Sequence, residues 1–160
     1  MRSWDVAISS PKAGAEVSRC LRSVTGAGQV SDGHSLWMAV EFEDGNGGHR
    51  VLFSKRAQMN GDTWHTDRID VGGKGQALNS YTLTAVDVDR ATDAMLTSTV
   101  VDMAFSTAET RDPGADIWRI SYAGYPSGAK PVAQVSVTRA EDDDRSCNDT
   151  RAGNKKRQGH

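Results

Sequence analysis

The sequence has few of the features that many functional classes of protein require. Only 37% of its 160 residues are hydrophobic and 6% are aromatic, a smaller apolar share than globular domains usually have. No stretch approaches the roughly 18 apolar residues of a membrane-spanning helix. The 19 lysines and arginines are balanced by 21 acidic residues, so the basic footprint of a nucleic-acid binder is missing. We therefore expect one domain without a membrane span and without a nucleic-acid partner.

Cysteine is scarce, and the N-terminus lacks the apolar core of a signal peptide. Two locations remain open, the cytoplasm or a place within a larger secreted protein. Cys20 and Cys147 do not have the spacing of a metal motif. A disulfide between them would attach a polar tail to the domain and would indicate an oxidising compartment. Two reduced thiols are the alternative.

Catalytic motifs are also missing. The chain has no Gly-x-Ser-x-Gly elbow and no glycine-rich phosphate loop before a helix. His34, His49 and His65 invite a metal site, because imidazole is a common zinc ligand, but no two of them have ligand spacing. We expect surface histidines, no cofactor and no enzymatic activity.

A calcium site is the other metal hypothesis. Asp87, Asp89 and Asp93 follow one another near the end of a predicted strand, and calcium prefers carboxylate oxygens. The fixed Asp-x-Asp-x-Asp-Gly loop is absent, however. We therefore predict no metal at these residues.

The sequence is rich in short strand patterns separated by glycine turns. In residues 35–43, Leu36, Met38, Val40 and Phe42 share one face, whereas Trp37, Ala39 and Glu41 share the other. Residues 81–89 alternate in the same way. The predicted strands cover 5–9, 16–25 with a bulge, 35–43, 51–53, 64–71, 81–89, 118–122 and 132–139. This pattern predicts an all-β, antiparallel sandwich of seven to eight strands.

Residues 91–105 do not follow the strand pattern. They could form one short helix with Thr92 as its N-cap, or a further strand. If it is a helix, we expect it to decorate the sandwich without forming a layer of it.

Several short motifs follow one another along the chain. They are Ile8, Pro11 and Gly14; Val24 and Gly26; Leu36-Trp37; Gly61 and Trp64; Val71-Gly72; Tyr81 and Leu83; and Val135, Val137 and Arg139. Their order resembles that of a bacterial immunoglobulin-like β-sandwich module. The resemblance covers residues 4–139 and implies an immunoglobulin-like fold without catalytic residues. Such modules serve as spacers, adhesion units and accessory binding domains. Trp37 departs from the pattern, because it lies opposite the richer apolar face of its strand.

Residues 140–160 differ in composition from the rest of the chain. They are acidic and then mixed polar, without an aromatic or branched aliphatic residue. Such a segment cannot bury enough surface to offset its chain entropy. We expect a disordered tail or a linker.

The few aromatic side chains are the best candidates for a binding site. Trp64, Trp118, Tyr122 and Tyr125 could form a platform that stacks on a flat ligand, although a core position for both tryptophans is the simpler alternative. The leading hypothesis is a non-catalytic binding or accessory module for protein or carbohydrate surfaces. A structural spacer or partner-interaction domain is the second hypothesis. A metal-dependent enzyme using His34, His49 or His65 is the least favoured.

Overall fold

The computed structural model describes residues 4–73, 79–99, 121–141 and 147, and these residues form an all-β fold with one helix. The helix, α1, covers residues 90–99. The strands are β1 Trp4–Ser10, β2 Ala15–Val17, β3 Cys20–Leu21, β4 Thr25–Gln29, β5 Ser35–Glu43, β6 His49–Arg56, β7 Gln58–Asn60, β8 Thr63–His65, β9 Ile69–Asp70, β10 Ser80–Val88 and β11 Ala129–Arg139. The predicted fold class is confirmed at this level.

Two larger sheets and one small one contain these strands. The four-stranded sheet has the order β1-β4-β8-β7, the five-stranded sheet has the order β2-β11-β10-β5-β6, and β3 pairs with β9. Neighbouring strands are antiparallel except β2 and β11, which are parallel. Strand β1 lies at an edge of the four-stranded sheet.

The two larger sheets enclose the inner core. Leu36, Met38 and Val40 of β5 point into it, together with Leu83 of β10 and Trp64 of β8. These side chains are at most 2% exposed. The alternation predicted for residues 35–43 and 81–89 therefore places one face of the five-stranded sheet against the four-stranded sheet.

Trp64 is fixed in this core by the backbone of β4. Gly26 pairs with Trp64 across the two strands, and the indole lies where a side chain at residue 26 would be. The indole Nε1 donates to the carbonyl oxygen of Ala27 at 3.0 Å. Glycine is required at residue 26 because any Cβ atom there would collide with the ring and with the Ala7 carbonyl oxygen.

A second core covers the opposite face of the five-stranded sheet. Trp37, Phe53, Val86 and Val88 form it together with Leu96 of α1. Leu96 is only 2% exposed, so the helix is a packed layer and the prediction of a peripheral decoration was wrong. Because β5 is buried on both faces, its Trp37 side is apolar core as well.

Two of the predicted strands are broken in the structure. Residues 16–25 form parts of β2, β3 and β4, which pair with β11, β9 and β1 respectively. Residues 64–71 likewise form parts of β8 and β9. The reason is that each segment leaves one sheet and enters another, a change that alternation alone does not reveal.

Helix α1 begins earlier than predicted. Its N-cap is Asp89, whose Oδ1 accepts a hydrogen bond from the backbone N–H of Thr92 at 2.8 Å. Thr92 is therefore a buried residue of the first turn and not the cap. The helical alternative for residues 91–105 is confirmed through residue 99, and the remainder of that stretch lies outside the described residues.

The two cysteines form a disulfide between β3 and residue 147, so the reduced alternative does not apply to this structure. The backbone N–H of Cys147 also donates to Asp70 Oδ1 of β9 at 2.7 Å. Most of the predicted tail at 140–160 lies outside the described residues. Within the described part, no helix is long and apolar enough to cross a membrane.

Candidate binding site on the outer face of the sheet

A polar cluster lies beside the second core, at the end of the sheet where β5 meets β6. It is formed by Glu41, His49, Thr84, Tyr125 and Gln134 and is called here the Glu41 cluster. Glu41 follows Trp37 and Ala39 at intervals of two residues, so all three share the outer face. His49 on β6 pairs with Glu43, which places its side chain diagonally across from Glu41 on that face.

Both carboxylate oxygens of Glu41 accept hydrogen bonds. Oε1 lies 2.6 Å from His49 Nε2. Oε2 accepts from Tyr125 Oη at 2.7 Å, from Gln134 Nε2 at 3.1 Å, and from Thr84 Oγ1. The Glu41 side chain is 9% exposed, so these bonds hold a nearly buried charge in place.

His49 bridges two carboxylates. Its Nδ1 lies 3.3 Å from Glu43 Oε1, while its Nε2 faces Glu41. The hydrogen bonds to Glu41 and then to Glu43 raise the pKa of the His49 imidazole above its ordinary value of 6.5. The imidazolium form, which donates through both nitrogens, is therefore favoured.

The pKa values of Glu41 and Tyr125 keep their shared hydrogen bond in place at neutral pH. Burial alone would raise the pKa of Glu41, but hydrogen bonds from Thr84, Tyr125 and His49 together bring it below its ordinary value of 4.5. Burial, followed by the hydrogen bond to Glu41, raises the pKa of the Tyr125 phenol. At neutral pH the phenol is therefore protonated and donates to an ionised carboxylate.

Two tyrosines of residues 121–125 rest on the same phenylalanine. The rings of Tyr122 and Tyr125 lie edge-on to Phe53, with centroid distances of 6.1 and 6.0 Å. Tyr122 also forms an antiparallel bridge to β6, because it exchanges both backbone hydrogen bonds with Val51 at 2.7 and 2.8 Å. Each tyrosine is partly exposed, so solvent can reach both residues while their rings pack against Phe53.

Arg50 fastens the start of this segment. Its Nε donates to Ser121 Oγ at 3.0 Å, and its Nη2 donates to the Ser121 carbonyl oxygen at 2.5 Å. Residues 121–125 are thus attached to β6 through a side chain, a backbone bridge and the Glu41 cluster. Such attachment from several directions limits the conformational entropy that a binding partner would have to offset.

The structure brings together only part of the predicted aromatic platform. Tyr122 and Tyr125 are neighbours on the outer face, but Trp64 lies in the inner core at 2% exposure. Its ring has no free face for a ligand, so the core alternative for Trp64 is the correct one. Trp118 lies outside the described residues.

The predicted metal candidates are dispersed. His34 precedes β5, and its Nδ1 lies 2.6 Å from Asp87 Oδ1. His49 is at the other end of β5, and His65 is exposed on β8 of the other large sheet. Among the residues described, no group of three side chains could hold a metal ion.

Two of the calcium candidates have structural roles around α1. Asp89 caps the helix, and hydrogen bonds from Thr92 lower the pKa of its carboxyl group. Asp93 accepts from Trp37 Nε1 at 2.8 Å and from two nitrogens of Arg56 at 3.0 and 2.7 Å. Asp89 thus stabilises the start of the helix, and Asp93 attaches the helix to β5 and β6.

Glu41, Thr84 and Gln134 were missed as site residues by the sequence analysis. One signal was available, since Glu41 is a charged residue on the same strand face as Trp37 and Ala39. A carboxylate at such a position requires donors from neighbouring strands. Which residues provide these donors depends on the order of the strands in the sheet. That order cannot be read from the pattern of residues.

A buried carboxylate beside a histidine is also the arrangement of many acid–base catalysts. In this cluster the polar atoms are engaged within the chain, since Glu41 has four donors and His49 faces two carboxylates. The arrangement is suited to holding residues 121–125 in position. Comparison with family models, with curated proteins and with solved structures found no match to this chain.

Proposed function

We propose that this chain is a non-catalytic binding module that recognises a protein surface through its outer face. The contact surface is the tyrosine patch, defined as Tyr122, Tyr125, His49 and Gln134. The observation that carries the proposal is the fixed, partly exposed pair of tyrosines supported by Phe53 and by Glu41. An immunoglobulin-like accessory module is the structural class to which we assign it.

Tyrosine is enriched at protein interfaces because its ring offers a large contact area at a small entropic cost. In the tyrosine patch this area adjoins the exposed side chains of His49 and Gln134, which add polar surface around the two rings. Stacking on a sugar requires aromatic rings with a free face. Trp64, one of the two indoles of the predicted platform, is buried and has no free face. These points favour a protein partner over a glycan.

The hydrogen bonding of the Glu41 cluster supports the non-catalytic part of the proposal. A general base must be within reach of a substrate proton. Glu41 Oε1 is engaged by His49 and Oε2 by Tyr125, Thr84 and Gln134. A substrate would have to break these contacts before either residue could act.

The test compares two surface variants on protein and glycan arrays. Tyr122→Ser removes a ring of the tyrosine patch, while Met59→Ser changes an exposed side chain, 41% accessible, on β7 of the other large sheet. We expect the wild-type chain to bind at least one protein, Tyr122→Ser to weaken that binding about tenfold or more, and Met59→Ser to leave it unchanged. Thermal unfolding of both variants checks that they are folded.

Three outcomes would overturn the proposal. Binding confined to glycans would assign the patch to carbohydrate, and an absence of binding on both arrays would favour the structural spacer. Turnover of any compound in a hydrolase substrate panel, abolished by Glu41→Gln, would make the chain an enzyme.

A further inference from the structure

We propose that Asn60 is a site of spontaneous covalent modification, at which its side-chain amide is lost by attack of the Gly61 nitrogen and replaced by oxygen from solvent water. The sequence contains two Asn-Gly pairs, Asn46-Gly47 and Asn60-Gly61. Asn46 is an exposed turn residue, and Asn60 is the exposed last residue of β7. The structure distinguishes the two pairs by the hydrogen bonding of the attacking nitrogen.

The chemistry involves only the chain and water. The deprotonated backbone nitrogen of the following glycine attacks the asparagine Cγ and forms a new C–N bond. The bond from Cγ to the side-chain nitrogen breaks, and ammonia leaves with the proton. Water then adds to either carbonyl of the five-membered imide and opens it, which yields aspartate or isoaspartate. A glycine favours the first step because it has no side chain to obstruct the approach.

At Asn60 the attacking nitrogen, that of Gly61, has no hydrogen-bond acceptor among the described residues. Asn60 pairs with Thr63 at the tip of the β7–β8 hairpin, and Gly61 has a φ of 63°. Within the described chain, the Gly61 N–H donates no hydrogen bond, and the Asn60 side chain has no hydrogen-bond partner. The Asn60 amide can therefore rotate towards a nitrogen that is free to lose its proton.

At Asn46 the same chemistry is opposed by the turn. The Gly47 N–H donates to the Asp44 carbonyl oxygen at 3.0 Å. Asp44 Oδ1 also accepts from the backbone N–H groups of Asn46 and Gly48, at 2.8 and 2.9 Å. The attacking nitrogen thus retains its proton in a hydrogen bond, and the backbone on both sides of it is held.

Modification of Asn60 would alter the hairpin that carries Trp64. Isoaspartate adds one methylene group to the main chain next to the Met59–Trp64 pair. Either product also places a second carboxylate close to Asp62, which already accepts a hydrogen bond from Gln29 at 2.8 Å. The expected result is a hairpin whose pairing with β4 is weakened.

The experiment uses the intact, disulfide-bonded chain as its own control. The chain is incubated at mildly alkaline pH, both folded and in urea, and peptides containing each asparagine are followed by mass spectrometry. In the folded chain we expect Asn60 to be converted about fivefold faster than Asn46, the factor that corresponds to one ordinary hydrogen bond on the attacking nitrogen. In urea the two rates should become equal.

Two further variants sharpen the test. Asn60→Ser should abolish the mass shift at this hairpin, and Asp44→Ser should accelerate conversion of Asn46, because it loosens the turn that protects Gly47. Equal rates in the folded chain, faster conversion of Asn46, or conversion of neither residue while both react in urea would each overturn the proposal.

Discussion

Among the side chains that the structure describes, the inner core and the outer layer each bury one indole, and they hold it in different ways. Trp64 lies against the backbone of Gly26 and donates to a backbone carbonyl of β4. Trp37 donates to Asp93, a side chain of α1 that also binds Arg56. The inner indole is therefore fixed by strand spacing and the outer one by side chains that can adjust. A substitution should therefore lower the free energy of unfolding more beside the inner indole, where backbone atoms obstruct a new side chain, than beside the outer one.

The largest expected effect is at Gly26. In Gly26→Ala the new Cβ would overlap the Trp64 ring and the Ala7 carbonyl oxygen, so the β1–β4 pairing or the indole must shift. We expect the free energy of unfolding, measured in urea, to fall by about 3 kcal/mol. Gly45→Ala, where a Cβ would meet nothing within 4 Å, is the control. Equal stability of the two variants would contradict a backbone-fixed core.

The next largest effect is expected in the outer layer at Glu41. Glu41→Ala leaves Thr84, Tyr125 and Gln134 without their shared acceptor, at a cost of about 2 kcal/mol in the free energy of unfolding. Tyr125→Phe removes one donor only and should cost about 1 kcal/mol. Chemical denaturation of both variants provides the comparison. If Tyr125→Phe cost as much as Glu41→Ala, the carboxylate would not be the centre of the cluster.

A smaller effect is expected where Gly128 approaches the start of α1. A Cβ at residue 128 would meet Thr92 Oγ1 and the Asp89 carboxylate, and both are side chains that can move aside. We expect Gly128→Ala to cost about 1 kcal/mol through a weakened N-cap. Asp89→Ala already removes that cap, so the double variant should be hardly less stable than Asp89→Ala alone. If the two substitutions lowered the free energy of unfolding additively, the effect of Gly128→Ala would not arise from the N-cap.

The smallest effect is the pH dependence contributed by His49. A histidine whose pKa is raised in the folded state stabilises it fully below the ordinary value of 6.5, and this contribution is lost as the pH rises through the raised value. Since the His49 side chain is 47% exposed, we expect at most about 1 kcal/mol. The measurement is the stability difference between wild type and His49→Gln at several pH values. This stability difference should become smaller towards alkaline pH. A difference that does not change with pH would exclude stabilisation by a charged His49 imidazolium.

The sequence predicts which face of a strand each side chain occupies better than it predicts which strands pair with one another. The alternation around Met38 and Trp37 assigned each side chain to its correct face of β5, because side-chain direction has a period of two residues. A core position for Trp64 was the simpler of the two alternatives considered from the sequence. Its pairing with Gly26 could not be predicted, because it depends on which strands pair. The donors of Glu41 come from β6, β10, β11 and residues 121–125. A set gathered from such distant parts of the chain has no local signal.

The bond between Cys20 and Cys147 has a mechanical consequence. The two residues are 127 positions apart, and β4 to β11 lie between them in sequence. If the chain were pulled from residues on the outer side of each cysteine, the tension would pass through the two sulfur atoms and bypass the chain segment that contains β4 to β11. Of the described strands, only β1 and β2 could then be drawn out of their sheets, while the chain segments that carry Trp37 and Trp64 could not be extended until the sulfur–sulfur bond was reduced.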